Sequence, residues 1–253
     1  MTRLAYSLLA ILTMSHMAHA ASDSAVPLAS PPAAPGAPAA KLPQMFFADD
    51  FSAPELGNAW DIVNRDPDAY TIEHNSLLIV ARSAGGLGSE KIPNIFRLNR
   101  LLPDTDLTVT VKFNIAIQTL REYLAFGLFD NPKDYLVAEL YSRSACCGNS
   151  DLVLRITKVG GGQTNQFEVP VTDSKTAKQP ITMRLQRMAH SYRAGINFAG
   201  QTDSAGKPIW TETGTLTSLR PPKTFALNAS QWEQNPGESP CHILAVTIEA
   251  APR

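Results

Sequence analysis

The chain carries little charge, and neither sign predominates. Asp, Glu, Lys and Arg make up 18% of its 253 residues, and 22 basic against 23 acidic side chains give a formal net charge of -1. Proteins that bind nucleic acid through its phosphates carry a basic excess, so the sequence predicts no nucleic-acid partner. Hydrophobic residues account for 44% of the chain, which is enough to build a packed core.

Cysteine is also scarce, with three in the whole chain. Cys146 and Cys147 are adjacent, whereas Cys241 lies far along the chain. In an oxidising compartment this pattern predicts a disulfide between Cys241 and either Cys146 or Cys147, worth about 3–5 kcal/mol by the loop-closure model. A strained bridge within the adjacent pair is the alternative. The spacing lacks the two-residue gap of zinc sites, so no metal site is predicted from the cysteines.

Recognisable catalytic motifs are missing. The chain contains neither the Glu-x-Asp-x-x-Glu string of retaining glucanases nor a Gly-x-Ser-x-Gly elbow. Glu139 comes nearest, as a lone carboxylate whose possible acid partners, Glu122 or Glu168, lie on other strands. Tyr141, with Arg155 and Gln186, is the combination that a polysaccharide lyase would use. The sequence therefore favours a binding protein over an enzyme and predicts no catalytic residue.

The N-terminus indicates export. Arg3 gives a basic start, residues 4–14 are apolar, and Ala18-His19-Ala20 is the pattern that signal peptidase reads. A cleavable signal peptide is predicted over residues 1–20, with a secreted or periplasmic mature protein. No run in the chain is long enough to span a membrane. Residues 21–43 are rich in Ala and Pro and predict an extended linker, which leaves residues 44–253 as one domain.

The domain is predicted to be all β. In residues 107–113 the apolar side chains are Leu107, Val109, Val111 and Phe113, and the residues between them are polar, which is the period of a strand with one buried face. The same alternation or strand-forming composition is found in the segments 123–129, 135–141, 152–159, 166–171, 181–188, 191–198 and 242–249. One helical turn is expected, at residues 54–60. Antiparallel strands without covering helices bury their apolar faces against one another, so the fold class is a two-sheet antiparallel β-sandwich of the jelly-roll kind.

A series of local motifs carries a resemblance to a known family. They are Asp49-Asp50-Phe51 with Trp60, Asn94-Ile95-Phe96-Arg97, Phe126-Gly127-Leu128-Phe129-Asp130, Asp134-Tyr135-Leu136-Val137, Met183-Arg184-Leu185-Gln186-Arg187 with Tyr192, and Trp210. Over residues 45–250 the chain resembles the accessory β-sandwich at the C-terminus of family 43 β-xylosidases, within the concanavalin A-like lectin and glucanase superfamily. The resemblance implies a carbohydrate partner. The catalytic β-propeller of those enzymes has no counterpart here, and segments 201–214 and 219–240 are longer than the family pattern.

The superfamily also bears on cofactors. Its sandwiches often hold a structural calcium ion, for which Asp49, Asp50 and Asp130 are the candidate ligands here. The alternative is that these aspartates stabilise turns and strand ends. No other cofactor is predicted.

The polar faces of four strands supply a candidate ligand site. By alternation, each strand places a few hydrogen-bonding or aromatic side chains on its non-core face: Tyr135, Glu139, Tyr141, Arg155, Arg184, Gln186, Arg193 and Asn197. If the strands share a sheet, these side chains form a groove suited to sugar rings. The alternative is a solvated face with cross-strand Arg–Glu pairs.

The sequence therefore predicts an exported, non-catalytic carbohydrate-binding sandwich. Two other functions stay open. One is a glycoside hydrolase or polysaccharide lyase that uses Glu139 with Tyr141. The other is a structural or adhesive protein, which would be favoured if the segment 201–240 covered the aromatic face. Trp60 is expected in the core, whereas Trp210 and Trp232 are either exposed platforms or loop-packing residues.

Overall fold

The computed structural model describes residues 42–115, 123–143, 151–173, 176–231 and 238–252. Within these ranges the chain forms sixteen β-strands and one short 3₁₀ helix at Pro67–Ala69. None of the helical structure in them is long and apolar enough to cross a membrane. The predicted signal peptide and nearly all of the predicted linker lie outside the described residues.

One sheet contains nine strands of the described chain. It runs in the order β13-β12-β11-β6-β16-β4-β3, while β1 pairs with β16 and β14 with β12. Its strands are β1 (Gln44–Asp49), β3 (Tyr70–Glu73), β4 (Ser76–Ala81), β6 (Leu107–Ile115), β11 (Ile181–Met188), β12 (Ser191–Phe198), β13 (Thr211–Glu212), β14 (Leu216–Thr217) and β16 (Ser239–Ala250).

The other sheet contains seven strands of the described chain, in the order β10-β9-β8-β7-β15-β5-β2. They are β2 (Trp60–Val63), β5 (Ile95–Leu101), β7 (Tyr123–Asn131), β8 (Asp134–Ser142), β9 (Asp151–Gly160), β10 (Gln163–Asp173) and β15 (Thr224–Ser230). Neighbouring strands within both sheets are antiparallel. The two sheets pack face to face, and the predicted fold class is confirmed.

The main core lies between the sheets and follows the predicted alternation. Val109, Val111 and Phe113 of β6 are fully buried, and they meet Leu124 and Phe126 of β7 in one apolar cluster. Burying each such side chain contributes about 1.5–3 kcal/mol. Because every second residue of these strands points into this cluster, the residues between them are left for the outer faces.

Trp60 lies in the core, as expected. Its ring meets Phe47 edge to face at 5.5 Å between centroids, and its indole Nε1 donates a hydrogen bond of 2.7 Å to Asp49 Oδ2. The helical turn expected at residues 54–60 is wrong, because residues 53–59 form bends and a turn. The turn ends with the Trp60 backbone N–H donating to the Gly57 carbonyl, after which Trp60 starts β2.

No disulfide is found among the described residues, and the predicted bridge to Cys241 is therefore not observed. Cys241 is a free thiol on β16, fully buried in the main core, and Cys146 and Cys147 lie outside the described residues. Alternation along β16 turns the Cys241 side chain inwards, among apolar neighbours that include Ile79 of β4 and Ile115 of β6. Cys241 therefore acts in the described core as a small hydrophobic side chain.

Gly127 at the middle of β7 offers a test of how tightly the strands pack. It has φ of +152°, and a Cβ added there would lie 2.5 Å from the Leu136 carbonyl oxygen and 2.9 Å from the Val137 Cα. We expect Gly127→Ala to lower the free energy of unfolding in urea by about 1–3 kcal/mol or more, as overpacking does. Gly57→Ala is the matched control, because no atom lies within 4 Å of its added Cβ. Equal stability of the two variants would contradict the close packing.

Cys241 offers a chemical test of the missing disulfide. Burial raises the pKa of its thiol, and only the thiolate reacts with iodoacetamide. We expect Cys241 to stay unlabelled in the folded protein and to be labelled in urea without reductant, as read from its own peptide by mass spectrometry. If labelling in urea appeared only after reduction, Cys241 would be in a disulfide, and its assignment as a free thiol would be wrong.

Candidate functional site

The seven-stranded sheet is covered on part of its outer face. The connection between β4 and β5, residues 82–94, buries Ala84, Leu87 and Ile92 in a second apolar cluster. These side chains pack on outward-facing residues of the sheet that include Phe129 and Val137. The connection is called the cover segment below. It leaves the polar part of the same face uncovered.

A cavity of about 460 Å³ lies beside the cover segment. We call it the tyrosine cleft. Its lining residues come from the cover segment, the first residue of β7, the outer face of β8, the residue after β8 and the centre of β9: Gly86, Leu87, Gly88, Ser89, Tyr123, Tyr135, Glu139, Tyr141, Arg143 and Arg155. The volume falls within the range of about 300–1,000 Å³ that small-molecule sites occupy.

Strand register places the polar side chains of the cleft side by side. Tyr135, Glu139 and Tyr141 share one face of β8 because they are an even number of residues apart. Arg155 of β9 stands directly opposite Glu139, and Glu168 of β10 stands opposite Arg155. Three adjacent strands therefore form the row Glu139, Arg155, Glu168 across the sheet.

This row is held by ion pairs. Arg155 Nε donates to Glu139 Oε2 at 2.7 Å, and its Nη1 donates to Glu168 Oε1 at 3.4 Å. Thr157 Oγ1 donates to the same Glu139 oxygen at 2.6 Å. Side-chain exposure is 7% for Glu139 and 24% for Arg155, so the pair is largely shielded from water. Burial alone would lower the pKa of Arg155, but the charge of Glu139 raises it overall, and the guanidinium stays charged.

Glu168 accepts hydrogen bonds from several side chains around it. The Tyr141 hydroxyl donates to its Oε1 at 2.9 Å, and the Arg143 guanidinium donates to its Oε2. Burial works to raise the pKa of Glu168, but the hydrogen bonds from Tyr141 and Arg143 and the charge of Arg155 lower it overall. Glu168 is therefore a fixed anion that holds both arginines.

Tyrosine rings form the apolar walls of the cleft. The Tyr141 ring carries the Arg155 guanidinium, with Cζ 4.5 Å from its centroid, in a cation–π contact. Tyr135 packs against Phe129 with 6.4 Å between ring centroids. Burial, assisted by the charge of Glu139, raises the pKa of Tyr135 to about 12. Tyr135 therefore keeps its proton at neutral pH and remains a hydrogen-bond donor.

The cover segment approaches two of these tyrosines closely. A Cβ added to Gly86 would lie 3.1 Å from the Tyr123 hydroxyl, and one added to Gly88 would lie 3.2 Å from the Tyr135 hydroxyl. A side chain at either position would require the segment or the tyrosine to shift by a few tenths of an ångström. Glycine at these two positions therefore allows the segment to lie close to the rings.

The predicted site residues divide between the two sheets. Tyr135, Glu139, Tyr141 and Arg155 come together in the tyrosine cleft. The second group is on β11 and β12, which belong to the nine-stranded sheet: Arg184, Gln186, Arg193 and Asn197. The condition for a single groove of all eight residues, that their strands share a sheet, is not met, because β11 pairs with β6 and β12 and not with β8 or β9.

The second group lies on the outer face of its sheet, and Arg184, Arg193 and Asn197 bond to other groups of the protein. Glu212 accepts from Arg184 at 2.6 Å and from Arg193 at 2.8 Å. The Arg184 Cζ lies 4.0 Å from the centroid of the Trp210 ring. Asn197 Nδ2 donates to backbone carbonyls at both ends of the loop that follows β12. This arrangement matches the alternative of a sheet face with cross-strand Arg–Glu pairs.

Several cleft residues were missed by the sequence analysis. Tyr123 was assigned only to a strand, Arg143 and the cover-segment residues 86–89 were not considered, and Glu168 was considered only as an acid partner. Alternation along residues 123–129 puts Tyr123 on the outer face, opposite to Leu124, and could have identified it. The cover segment gives no comparable signal, because which face it crosses depends on the tertiary fold.

The candidate calcium ligands have other contacts. Asp49 Oδ1 accepts from the Phe51 backbone N–H and Asp50 Oδ1 from that of Ser52. Asp130 Oδ1 accepts from the backbone N–H of Lys223. Within the described ranges, no group of three or more His, Cys, Asp or Glu side chains is placed to hold a metal ion.

No family model matches the chain, and no curated protein matches it. Solved structures share its fold. A xylan β-1,4-xylosidase from Bacillus halodurans matches with a TM-score of 0.62 at 14% identity, over 86% of this chain and 41% of the enzyme. The CBM2 module of the Dit protein from Lactobacillus casei BL23 phage J-1 matches with a TM-score of 0.61 at 11% identity, over 83% of this chain and 97% of the module. The family GH16 endo-β-1,3(4)-glucanase SCLam matches with a TM-score of 0.55 at 10% identity, over 83% of this chain and 92% of the enzyme.

These likenesses concern the fold. The chain spans about two fifths of the length of the family GH43 proteins it matches, whose covered shares are 39–42%. The expected likeness to family 43 xylosidases is confirmed at the level of a shared β-sandwich fold.

The lowered pKa of Glu168 leads to a prediction about stability and pH. Stabilisation from a carboxylate with a lowered folded-state pKa is complete above its unfolded-state pKa, ordinarily 4.5, and is lost as the pH falls through the folded-state value. We expect the free energy of unfolding to fall from about pH 6 to about pH 3 less steeply in Glu168→Gln than in the wild type. Urea denaturation measures it.

The matched control is Glu55→Gln, at an exposed position before β2, which should keep the wild-type slope. A Glu168→Gln slope equal to that of the wild type would show that Glu168 has no special ionic role in the fold.

Proposed function

We propose that the protein binds a glycan in the tyrosine cleft and does not transform it. The observation that carries the proposal is the row of paired charges beside three tyrosine rings, Tyr123, Tyr135 and Tyr141, in one concave site. Sugar rings present apolar faces and a rim of hydroxyl groups. Aromatic walls suit the first, and fixed polar groups suit the second.

The carboxylates of the cleft argue against hydrolysis. A retaining glycosidase needs one carboxyl that is protonated at working pH and a second about 5 Å away that is free to attack. Glu139 is bound by Arg155 and Thr157, and Glu168 by Arg155, Arg143 and Tyr141. The pKa of Glu168 is also lowered, which is the wrong direction for a general acid.

The cleft is also not covered in the way that a purely structural role would require. Among the described residues, none between 201 and 240 lines it, so the described part of the segment that would favour a structural or adhesive role does not cover the cleft.

The comparisons support the same proposal. The fold neighbours named above are two enzymes that act on glycans and one protein named as a carbohydrate-binding module. The N-terminal pattern at residues 1–20 supports export, which would place the protein among cell-surface or extracellular glycans.

A glycan-array screen of the full chain, as processed by an exporting host, tests the proposal. For any glycan that binds, we expect Tyr141→Ala and Tyr135→Ala each to weaken the Kd about fivefold, equivalent to about 1 kcal/mol for a lost aromatic contact. Circular dichroism establishes that the variants are folded, and chromatography of the incubated glycan shows whether it is cleaved.

Tyr70→Ala is the matched control, because the Tyr70 ring also has an arginine nearby, with Arg65 Cζ 6.0 Å from its centroid, but lies on β3 of the other sheet. Binding that survives both cleft substitutions would place the glycan elsewhere. Absence of binding by folded protein would reject the glycan function, and cleavage products would make the protein an enzyme.

A further inference from the structure

We infer that the ligand of the tyrosine cleft is an uncharged oligosaccharide. The inference rests on the proposed function and extends it from glycans in general to one class. It follows from the charge balance of the cleft and from the hydrogen-bonding capacity that its ion pairs leave available.

The charges of the cleft cancel. Two guanidiniums, Arg143 and Arg155, and two carboxylates, Glu139 and Glu168, are the charged groups that line it or bond to its lining among the described residues. Each guanidinium is paired with at least one of the carboxylates. The cleft therefore offers no uncompensated charge of either sign.

An anionic sugar would be penalised in this site. A uronate or sulfate group accepts hydrogen bonds from a cation that is free to pair with it. Here it would approach Arg155 between two carboxylates, and like charges placed close together repel one another. A cationic amino sugar meets the converse problem, because both carboxylates already face guanidiniums.

The nearby sequence keeps the balance. In the cover segment, Ser89 is followed by Glu90 and Lys91, one charge of each sign. These two neighbours of the lining residue Ser89 therefore leave the charge balance of the cleft unchanged.

Neutral hydroxyl groups fit what remains. Glu139 Oε1 accepts no hydrogen bond from the part of the chain that the structure describes, and Arg155 leaves Nη2 without an acceptor there. Together with the protonated hydroxyl of Tyr135, the site presents fixed donors and a fixed acceptor. A sugar hydroxyl both donates and accepts, whereas a carboxylate only accepts.

The test compares oligosaccharides that differ only in charge. The probes are oligogalacturonate and its neutral methyl ester, chitosan oligomers and their neutral N-acetylated form, and neutral xylo- and cello-oligosaccharides, measured by isothermal titration calorimetry. We expect the neutral member of a pair to bind at least about tenfold more tightly than the charged one. Its Kd should change less than about twofold between ~50 mM and ~500 mM NaCl.

Substitutions that unbalance the cleft should shift the preference. Glu168→Gln leaves one positive charge in excess, and we expect it to reduce the discrimination against oligogalacturonate by about tenfold. Glu212→Gln is the matched control: Glu212 also bridges two arginines, but on the outer face of the other sheet, so the preference should stay as in the wild type.

The outcomes separate the inference from the proposed function. If oligogalacturonate or chitosan binds as tightly as its neutral partner, with an affinity that depends on Tyr141 and falls with salt, the glycan site stands and the inference is wrong. If none of the probes binds to folded protein, the proposed function fails and the inference fails with it.

Discussion

The centre of the seven-stranded sheet is apolar on both faces, and the rest of the molecule is arranged around that constraint. In β7 every residue from Tyr123 to Phe129 is buried. A sheet with two apolar faces needs cover on both sides. The nine-stranded sheet covers the inner face, and the cover segment covers the outer face as far as Leu87 and Ile92. The tyrosine cleft begins where that cover ends, so its existence follows from the need to bury the sheet.

The second constraint is the largely buried guanidinium of Arg155. A charge removed from water is costly unless it is paired and fully hydrogen-bonded. Glu139, Glu168 and the ring of Tyr141 together meet that requirement. The same contacts fix the positions of the polar groups in the cleft before any ligand arrives. Binding through preorganised groups costs less side-chain entropy.

Local pattern was a good guide to the strands and to their faces. The predicted strands 181–188 and 191–198 coincide with β11 and β12, and the set Leu107, Val109, Val111 and Phe113 is buried as expected. Alternation depends on neighbouring residues only, and it is therefore visible in the sequence. It also correctly grouped Tyr135, Glu139 and Tyr141, since they share one strand.

The alternation of apolar and polar residues does not show which strands belong to the same sheet. β8 and β9 are neighbours in the chain and in space, but β11 pairs with β6, which precedes it by many residues. Such pairings are set by the global packing of apolar faces. The burial of Cys241 could not be predicted for the same reason, because its neighbours Ile79 and Ile115 come from two strands that are distant in the sequence. Only the tertiary fold shows that the thiol faces a closed apolar interior.

The two outer faces of the sandwich show why residue types alone do not define a binding site. Both carry arginines bridged by a glutamate next to an aromatic ring: Arg155 and Arg143 with Glu168 and Tyr141 on one, Arg184 and Arg193 with Glu212 and Trp210 on the other. On the first face the cover segment rises beside the pairs and encloses a cavity. On the second face, Asn197 donates hydrogen bonds to two backbone carbonyls of the segment that follows β12, and the Trp210 ring contacts Arg184. The concave shape added by residues 86–89 therefore distinguishes a candidate ligand site from a stabilised sheet surface.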